Sequence, residues 1–149
     1  MTPVAGRNFD HDVVQNRLRT IRELLNDLES LRAVTEERLT EDRLTRHAVE
    51  RILSQLVDLA VSVNGYVAAT VVGRAPEDYR GSFQLAAESG LIEHDLAKRL
   101  LPSVGMRNVL AHEYVNIDLT MVADATPKAI ADYGDYVTQA ARWLRERYR

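Results

Sequence analysis

Cysteine is absent from the 149 residues of this chain. Its absence excludes a disulfide scaffold, a zinc site built on thiolates and a cysteine nucleophile, and it fits a reducing compartment. The first ten residues also lack an apolar run that could form the core of a signal peptide. We therefore expect a cytoplasmic protein.

An excess of positive charge is absent too, because the formal net charge is −3. A protein that coats nucleic acid needs a surplus of cations facing the phosphates, so any contact with RNA must be local. The most apolar stretch, residues 56–73, is interrupted by Asp58, Ser62, Asn64 and Gly65. It falls short of the roughly twenty apolar residues that a membrane span needs. We predict a core helix there and no membrane partner.

Most known catalytic signatures are missing as well. The chain has no Walker-type loop, no Gly-x-Ser-x-Gly elbow, no His-Glu-x-x-His pair and no EF-hand loop. We therefore expect no metal site and no cofactor.

Glycine and proline are scarce, at 7 and 4 residues, and no internal repeat is present, so we predict a single domain over residues 1–149. Apolar residues recur with a period of about 3.6, which favours helices. The predicted fold is an all-α bundle of about five helices. The first three predicted helices cover residues 10–34, a segment capped by Thr40 and ending near Gly73, and residues 79–88. A fourth helix begins at Glu93, and Pro102 kinks or restarts it. After a short helical turn beyond residue 118, the last helix is capped by Thr126 before Pro127.

The candidate chemistry lies near His112, one of four histidines. His11, His47 and His94 lie among charged residues and are interpreted as surface positions. His112 instead follows a mostly apolar stretch, residues 104–111, that contains Arg107 and that we expect to be largely buried. Burying these two side chains costs free energy unless they are paired. From the spacing alone, Arg107 and His112 are also consistent with an ion-paired or capping site tied to Glu113, Glu88 or Asp118.

The motif around His112 resembles that of a known family. The signature Arg-x4-His-x-Tyr of the HepT-like toxins of the HEPN superfamily is matched by Arg107, His112 and Tyr114. A polar residue, Asn108, follows the arginine. The resemblance extends over residues 43–118 and includes the segments 46–51, 79–85, 90–92 and 105–108. It implies a homodimeric HEPN bundle with metal-independent endoribonuclease activity. It also implies a minimal nucleotidyltransferase antitoxin that modifies Tyr114 with AMP.

These residue types suit RNA cleavage, because RNA carries its own nucleophile in the 2′-hydroxyl. A histidine with a pKa of about 6.5 can accept or donate a proton at neutral pH. A guanidinium suits the oxygens of a phosphorane-like transition state. We therefore assign His112 as acid and base, Arg107 as the phosphate-stabilising group, and Asn108 as a group that orients either partner.

Helical geometry constrains how these residues cooperate. At about 100° per residue, Arg107 and Tyr114 share a stripe, whereas Arg107 and His112 are about 140° apart. Either the helix ends near His112, or a two-fold interface completes the site, and the resemblance implies the second. The second helix is apolar on nearly all sides towards its end, which also suggests a partner subunit.

Further candidate RNA contacts are Arg80, Lys98 and Arg99, although a solvated role explains each of them more simply. An alternative function is a HEPN interaction module that binds a nucleotidyltransferase or a nucleotide and cleaves nothing. The set of Arg107, Asn108 and His112 favours the enzyme, because a scaffold does not need it.

Overall fold

A computed structural model describes residues 9–112 and 116–148. Within these ranges the chain forms six α-helices and one π-helical turn, and no strand. The all-α prediction is confirmed, with one helix more than the approximate count of five. The helices are α1 (His11–Ser30), α2 (Glu36–Glu41), α3 (Arg43–Val67), followed directly by the π-helical turn (Ala68–Val72), α4 (Tyr79–Glu88), α5 (His94–His112) and α6 (Leu119–Arg147).

The additional helix is α2, and it moves the start of α3. Thr35 caps α2 by accepting a hydrogen bond from the backbone of Arg38 at 3.1 Å. Thr40, the predicted cap of the second helix, lies inside α2, where its hydroxyl donates to the carbonyl of Glu36. Asp42 caps α3 instead, because its carboxylate accepts from both the backbone and the hydroxyl of Thr45. The Thr40 prediction was wrong because Asp42 offers a charged acceptor two residues later.

The prolines do not divide the later helices. Pro102 lies inside α5 and Pro127 inside α6. Of the predicted kink or restart at Pro102, the restart is therefore wrong, and the predicted cap at Thr126 is wrong as well. Both proline rings are exposed, which lets water satisfy the carbonyls that lose a partner. Asp118 caps α6 by accepting from the backbone of Thr120 at 3.0 Å.

The central element of the bundle is α3, which packs against α1, α2, α4, α5 and α6. Together with the π-helical turn it forms an apolar segment, Arg43–Val72, that is long enough by length and composition to cross a membrane. In this fold the segment supplies the core of the bundle, with Leu56, Ala60 and Val63 fully buried.

A buried polar chain joins three helices through this core. The hydroxyl of Tyr136 on α6 donates to Oδ1 of Asn64 on α3 at 2.6 Å. Nδ2 of Asn64 donates to Oγ of Ser82 on α4 at 3.3 Å, and Ser82 donates to the carbonyl of Tyr79 at 2.7 Å. Burial raises the pKa of Tyr136 well above its ordinary value, so this hydroxyl stays protonated and remains a donor. These hydrogen bonds fix the first turn of α4 relative to α3 and α6.

Candidate active site

Arg107 extends from α5 towards α3 and is held there by an acid. Its Nε donates to Oδ1 of Asp58 on α3 at 3.0 Å, and the side chains are 25% and 39% exposed. This is the one ion pair of Arg107 within residues 9–112 and 116–148. The Arg107 side chain is therefore mostly buried, and its charge is paired with a carboxylate.

Tyr79, the first residue of α4, supports the same guanidinium from one face. The Cζ atom of Arg107 lies 5.0 Å from the centre of the Tyr79 ring, which is a cation–π distance. The Tyr79 hydroxyl donates to the same Oδ1 of Asp58 at 3.0 Å. Desolvation, followed by the hydrogen bond and charge of Asp58, raises the pKa of Tyr79 above its ordinary value. Asp58 therefore accepts from two neighbouring donors.

Arg107 and Tyr79 line an open cavity of about 380 Å³, which we call the Arg107 groove. It is lined by Asp78, Tyr79, Arg80, Val104, Arg107 and Asn108. Three of the predicted site residues, Arg80, Arg107 and Asn108, therefore come together. Two guanidinium groups and an amide around one opening are suited to phosphate oxygens and to polar groups of a nucleotide.

His112 is exposed at the last described residue of α5. Because α5 is helical from Arg107 through His112, the angular offset of about 140° between them applies. One copy of α5 therefore directs the two side chains to different sides. Tyr114 and Glu113 lie outside the described residues.

The other candidate RNA contacts are placed away from the groove. Lys98 is exposed on α5. Arg99 forms ion pairs with three carboxylates, Asp95 at 3.2 Å, Asp132 at 2.6 Å and Asp135 at 3.2 Å. An RNA phosphate at Arg99 would have to compete with these acids.

The acid that pairs with Arg107 is Asp58, which sequence reasoning did not consider. Of the partners considered, Glu88 pairs with Arg74 at 3.3 Å and Asp118 caps α6. The signal for Asp58 was available, because it is the one charged residue within the apolar stretch 56–73. A lone acid on a core helix needs a partner.

A second surface runs between α5 and α6 beside the motif. It is an apolar groove of about 540 Å³, and its lining includes Pro102, Gly105, Met106, Val109, Met121 and Ala125. Val109 is 36% exposed and Met121 is 50% exposed. In residues 104–111 only Val104 is buried, so the prediction that this stretch is largely buried is wrong for a single chain. Among residues 9–112 and 116–148, no group of three histidine, aspartate or glutamate side chains could hold a metal ion.

Comparison with known proteins identifies the family. The model of the family described as "Ribonuclease HepT-like" matches residues 21–140, which is more than three quarters of the chain and includes the Arg107 groove and His112. The chain belongs to the HepT-like ribonuclease family. The resemblance seen in the sequence is thereby confirmed.

Two curated proteins are similar to this HepT-like chain over most of their length. A "tRNA nuclease HepT" from Aphanizomenon flos-aquae is 25% identical over 138 residues, covering 92% of this chain and 93% of that protein. An "mRNA nuclease HepT" from Shewanella oneidensis is 20% identical over 127 residues, covering 85% of this chain and 95% of that protein. The RNA named differs between these two relatives.

Solved structures share the fold. A toxin–antitoxin complex with AMP-PNP contains a chain that superimposes with a TM-score of 0.78 at 19% identity, covering 88% of this chain and 98% of that one. A tri-AMPylated Shewanella oneidensis HEPN toxin in complex with MNT antitoxin gives a TM-score of 0.78 at 20% identity, with the same coverage. The bundle of this HepT-like chain thus has the same fold as the matched chains of these complexes.

Proposed function

We propose that this chain is a toxin endoribonuclease that cleaves RNA without a metal ion. The observation that carries the proposal is the convergence of Arg107, Asn108 and Arg80 on one groove in a member of the HepT-like ribonuclease family. His112 lies five residues after Arg107 on the same helix. Cations and a proton-transferring group are the kinds of side chain that phosphodiester cleavage needs.

In the proposed reaction the 2′-hydroxyl of RNA attacks the adjacent phosphorus. The attacking oxygen loses its proton to a histidine, the bond between phosphorus and the 5′-oxygen breaks, and that oxygen takes up a proton. The products are a 2′,3′-cyclic phosphate and a 5′-hydroxyl. Arg107 stabilises the charge on the phosphate oxygens, and Asn108 orients the phosphate or the histidine.

A homodimer supplies both proton transfers and overcomes the angular offset between Arg107 and His112. Two copies of α5 facing each other place two His112 side chains near one RNA strand, one as base and one as acid. The apolar groove between α5 and α6 offers the contact surface, because Val109 and Met121 are exposed there beside the motif. A stable contact of this kind buries more than roughly 1,000 Å².

Neutralisation by a nucleotidyltransferase antitoxin completes the proposal. The antitoxin transfers AMP to Tyr114, which follows His112 by two residues in the sequence, and the added nucleotide blocks the binding of RNA. The solved HEPN toxin in complex with MNT antitoxin is described as tri-AMPylated, which supports this type of regulation. We further propose that the chain acts as a single domain in the cytoplasm, on RNA and without a cofactor.

A second candidate function is a non-catalytic interaction module that binds a nucleotidyltransferase or a nucleotide. The observation that favours it is the Arg107–Asp58 ion pair, because it gives Arg107 a structural partner without any substrate.

An RNA-cleavage assay in the presence of a chelator separates the two functions. Wild-type protein should produce fragments with 2′,3′-cyclic phosphate ends, and His112→Ala should not. His94→Ala is the matched control, since His94 is an exposed histidine at the other end of α5. Cleavage that requires added magnesium would contradict the metal-free mechanism. No cleavage by the wild type, with intact binding of a nucleotidyltransferase, would favour the interaction module.

A further inference from the structure

Asp58 and Tyr79 hold the guanidinium of Arg107 from two directions. Asp58 accepts from Nε at 3.0 Å, and the Tyr79 ring lies 5.0 Å from Cζ. The Tyr79 hydroxyl closes the arrangement by donating to the same carboxylate oxygen at 3.0 Å. Three elements, α3, α4 and α5, each contribute one member of this cluster.

The contact with Asp58 leaves the arginine able to bind phosphate. An arginine has five N–H donors, and the bond at Nε uses one of them. In the described part of the chain it is the one side-chain hydrogen bond that Arg107 donates. The two terminal amino groups therefore keep their four N–H donors for phosphate oxygens.

We propose that Asp58 and Tyr79 are positioning residues that orient Arg107 towards the phosphate of the substrate. Arginine has a long, flexible side chain, and ordering it costs conformational entropy. If the side chain is already fixed before the substrate binds, this cost does not add to the activation free energy of the reaction. The ring restricts the plane of the guanidinium, and the carboxylate restricts its rotation within that plane. This inference rests on the proposed ribonuclease function and adds two residues outside the Arg-x4-His-x-Tyr motif.

The alternative is that Asp58 masks Arg107 by neutralising its charge. The two readings predict opposite effects when the acid is removed. Orientation predicts a slower reaction without Asp58, whereas masking predicts a faster one. In both cases loss of a negative charge beside the groove should leave the binding of polyanionic RNA unchanged or tighter.

Steady-state kinetics of Asp58→Ala, Asp58→Asn and Tyr79→Phe test the proposal. Asp58→Ala should lower kcat about 100-fold with no increase in KM, which is the size of effect expected when a catalytic group shifts by about 1 Å. Asp58→Asn keeps an acceptor oxygen and should recover part of the rate. Tyr79→Phe keeps the ring and removes one hydrogen bond, which should lower kcat about fivefold.

Glu88→Gln is the matched control, because Glu88 is an ion-paired acid with 38% side-chain exposure on the neighbouring helix α4. It should leave both kinetic constants unchanged. A kcat of Asp58→Ala equal to or above that of the control overturns the proposal. If Asp58→Ala does not fold, unchanged kcat values for both Asp58→Asn and Tyr79→Phe overturn it as well.

An NMR measurement tests the contact without relying on activity. The Nε–H signal of Arg107, assigned by its loss in Arg107→Lys, should exchange slowly with water in the wild type and faster in Asp58→Ala, which has no side-chain acceptor at this position. Equal exchange rates would refute the orienting contact. If the wild type cleaves no RNA while this difference in exchange is present, the proposed function fails and the contact stands.

Discussion

Replacing Arg107 by lysine tests whether the site needs a planar fork or merely a positive charge. Lysine keeps the charge but has no Nε–H at the position that bonds Asp58, and it lacks the plane that packs on the Tyr79 ring. It also binds a phosphate through one point instead of two parallel hydrogen bonds. We expect kcat to fall while the KM for RNA changes little.

The size of the effect follows from what the substitution removes. Loss of one preorganised donor to a transition-state oxyanion typically lowers kcat by about 10² to 10³. A factor of 100 corresponds to about 2.7 kcal/mol of transition-state stabilisation. The effect on folding should be much smaller, because Arg107 and Asp58 are 25% and 39% exposed and such pairs contribute about 0–1 kcal/mol.

Single-turnover cleavage of a fluorescent RNA, measured beside thermal melting, distinguishes these two effects. Arg107→Lys should cleave about 100 times more slowly than the wild type with a nearly unchanged melting temperature, and Arg107→Ala should be slower still. A rate for Arg107→Lys equal to that of the wild type would refute the argument from the planar fork. Full activity of Arg107→Ala would remove Arg107 from the catalytic site altogether.

Three further predictions concern the dimer, the regulation and the core. Val109→Glu should convert the dimer into a monomer in light scattering and abolish cleavage. Leu44→Glu, at a side chain on α3 that is 81% exposed, should do neither. An active monomer would contradict the shared site. Tyr114→Phe should cleave RNA yet escape AMP transfer, and mass spectrometry that finds AMP on another tyrosine would contradict this. Tyr136→Phe should lower the free energy of unfolding by about 1–3 kcal/mol in urea, because Asn64 loses its buried donor. The control is Tyr148→Phe, at a tyrosine whose hydroxyl accepts a solvent-exposed hydrogen bond from Arg147; an equally small loss for Tyr136→Phe would contradict the prediction.

The all-helical fold was predictable because the apolar period is strong along the chain. Residues 79–88 were predicted as a helix with the bounds that α4 shows. The ends of the other helices were less predictable, since Thr40 and Asp42 both resemble caps and the choice depends on the short helix α2. Pro102 and Pro127 resemble helix breaks, but α5 and α6 continue through them, and both prolines are exposed, so that water can satisfy the carbonyls that lose a partner.

The candidate site was predictable where its residues are close in sequence. Arg107, Asn108 and His112 occupy one helix and carry a recognisable spacing. Asp58 lies 49 residues before Arg107, and no local pattern indicates that α3 and α5 bring them together. The exposure of residues 104–111 could not be predicted either, because an apolar sequence is the same whether its own chain or a second copy covers it.

The buried hydrogen bonds that link Tyr136, Asn64 and Ser82 limit which mutations this sequence can accumulate during evolution. Each side chain satisfies a polar atom of the next, so one mutation leaves an unpaired group in the core, whereas replacing both partners by apolar groups of the same shape is close to neutral. These positions therefore form an epistatic unit, in which the tolerance of one depends on the identity of the others. Because Ser82 bonds the carbonyl of Tyr79, selection on this unit extends to the support of Arg107.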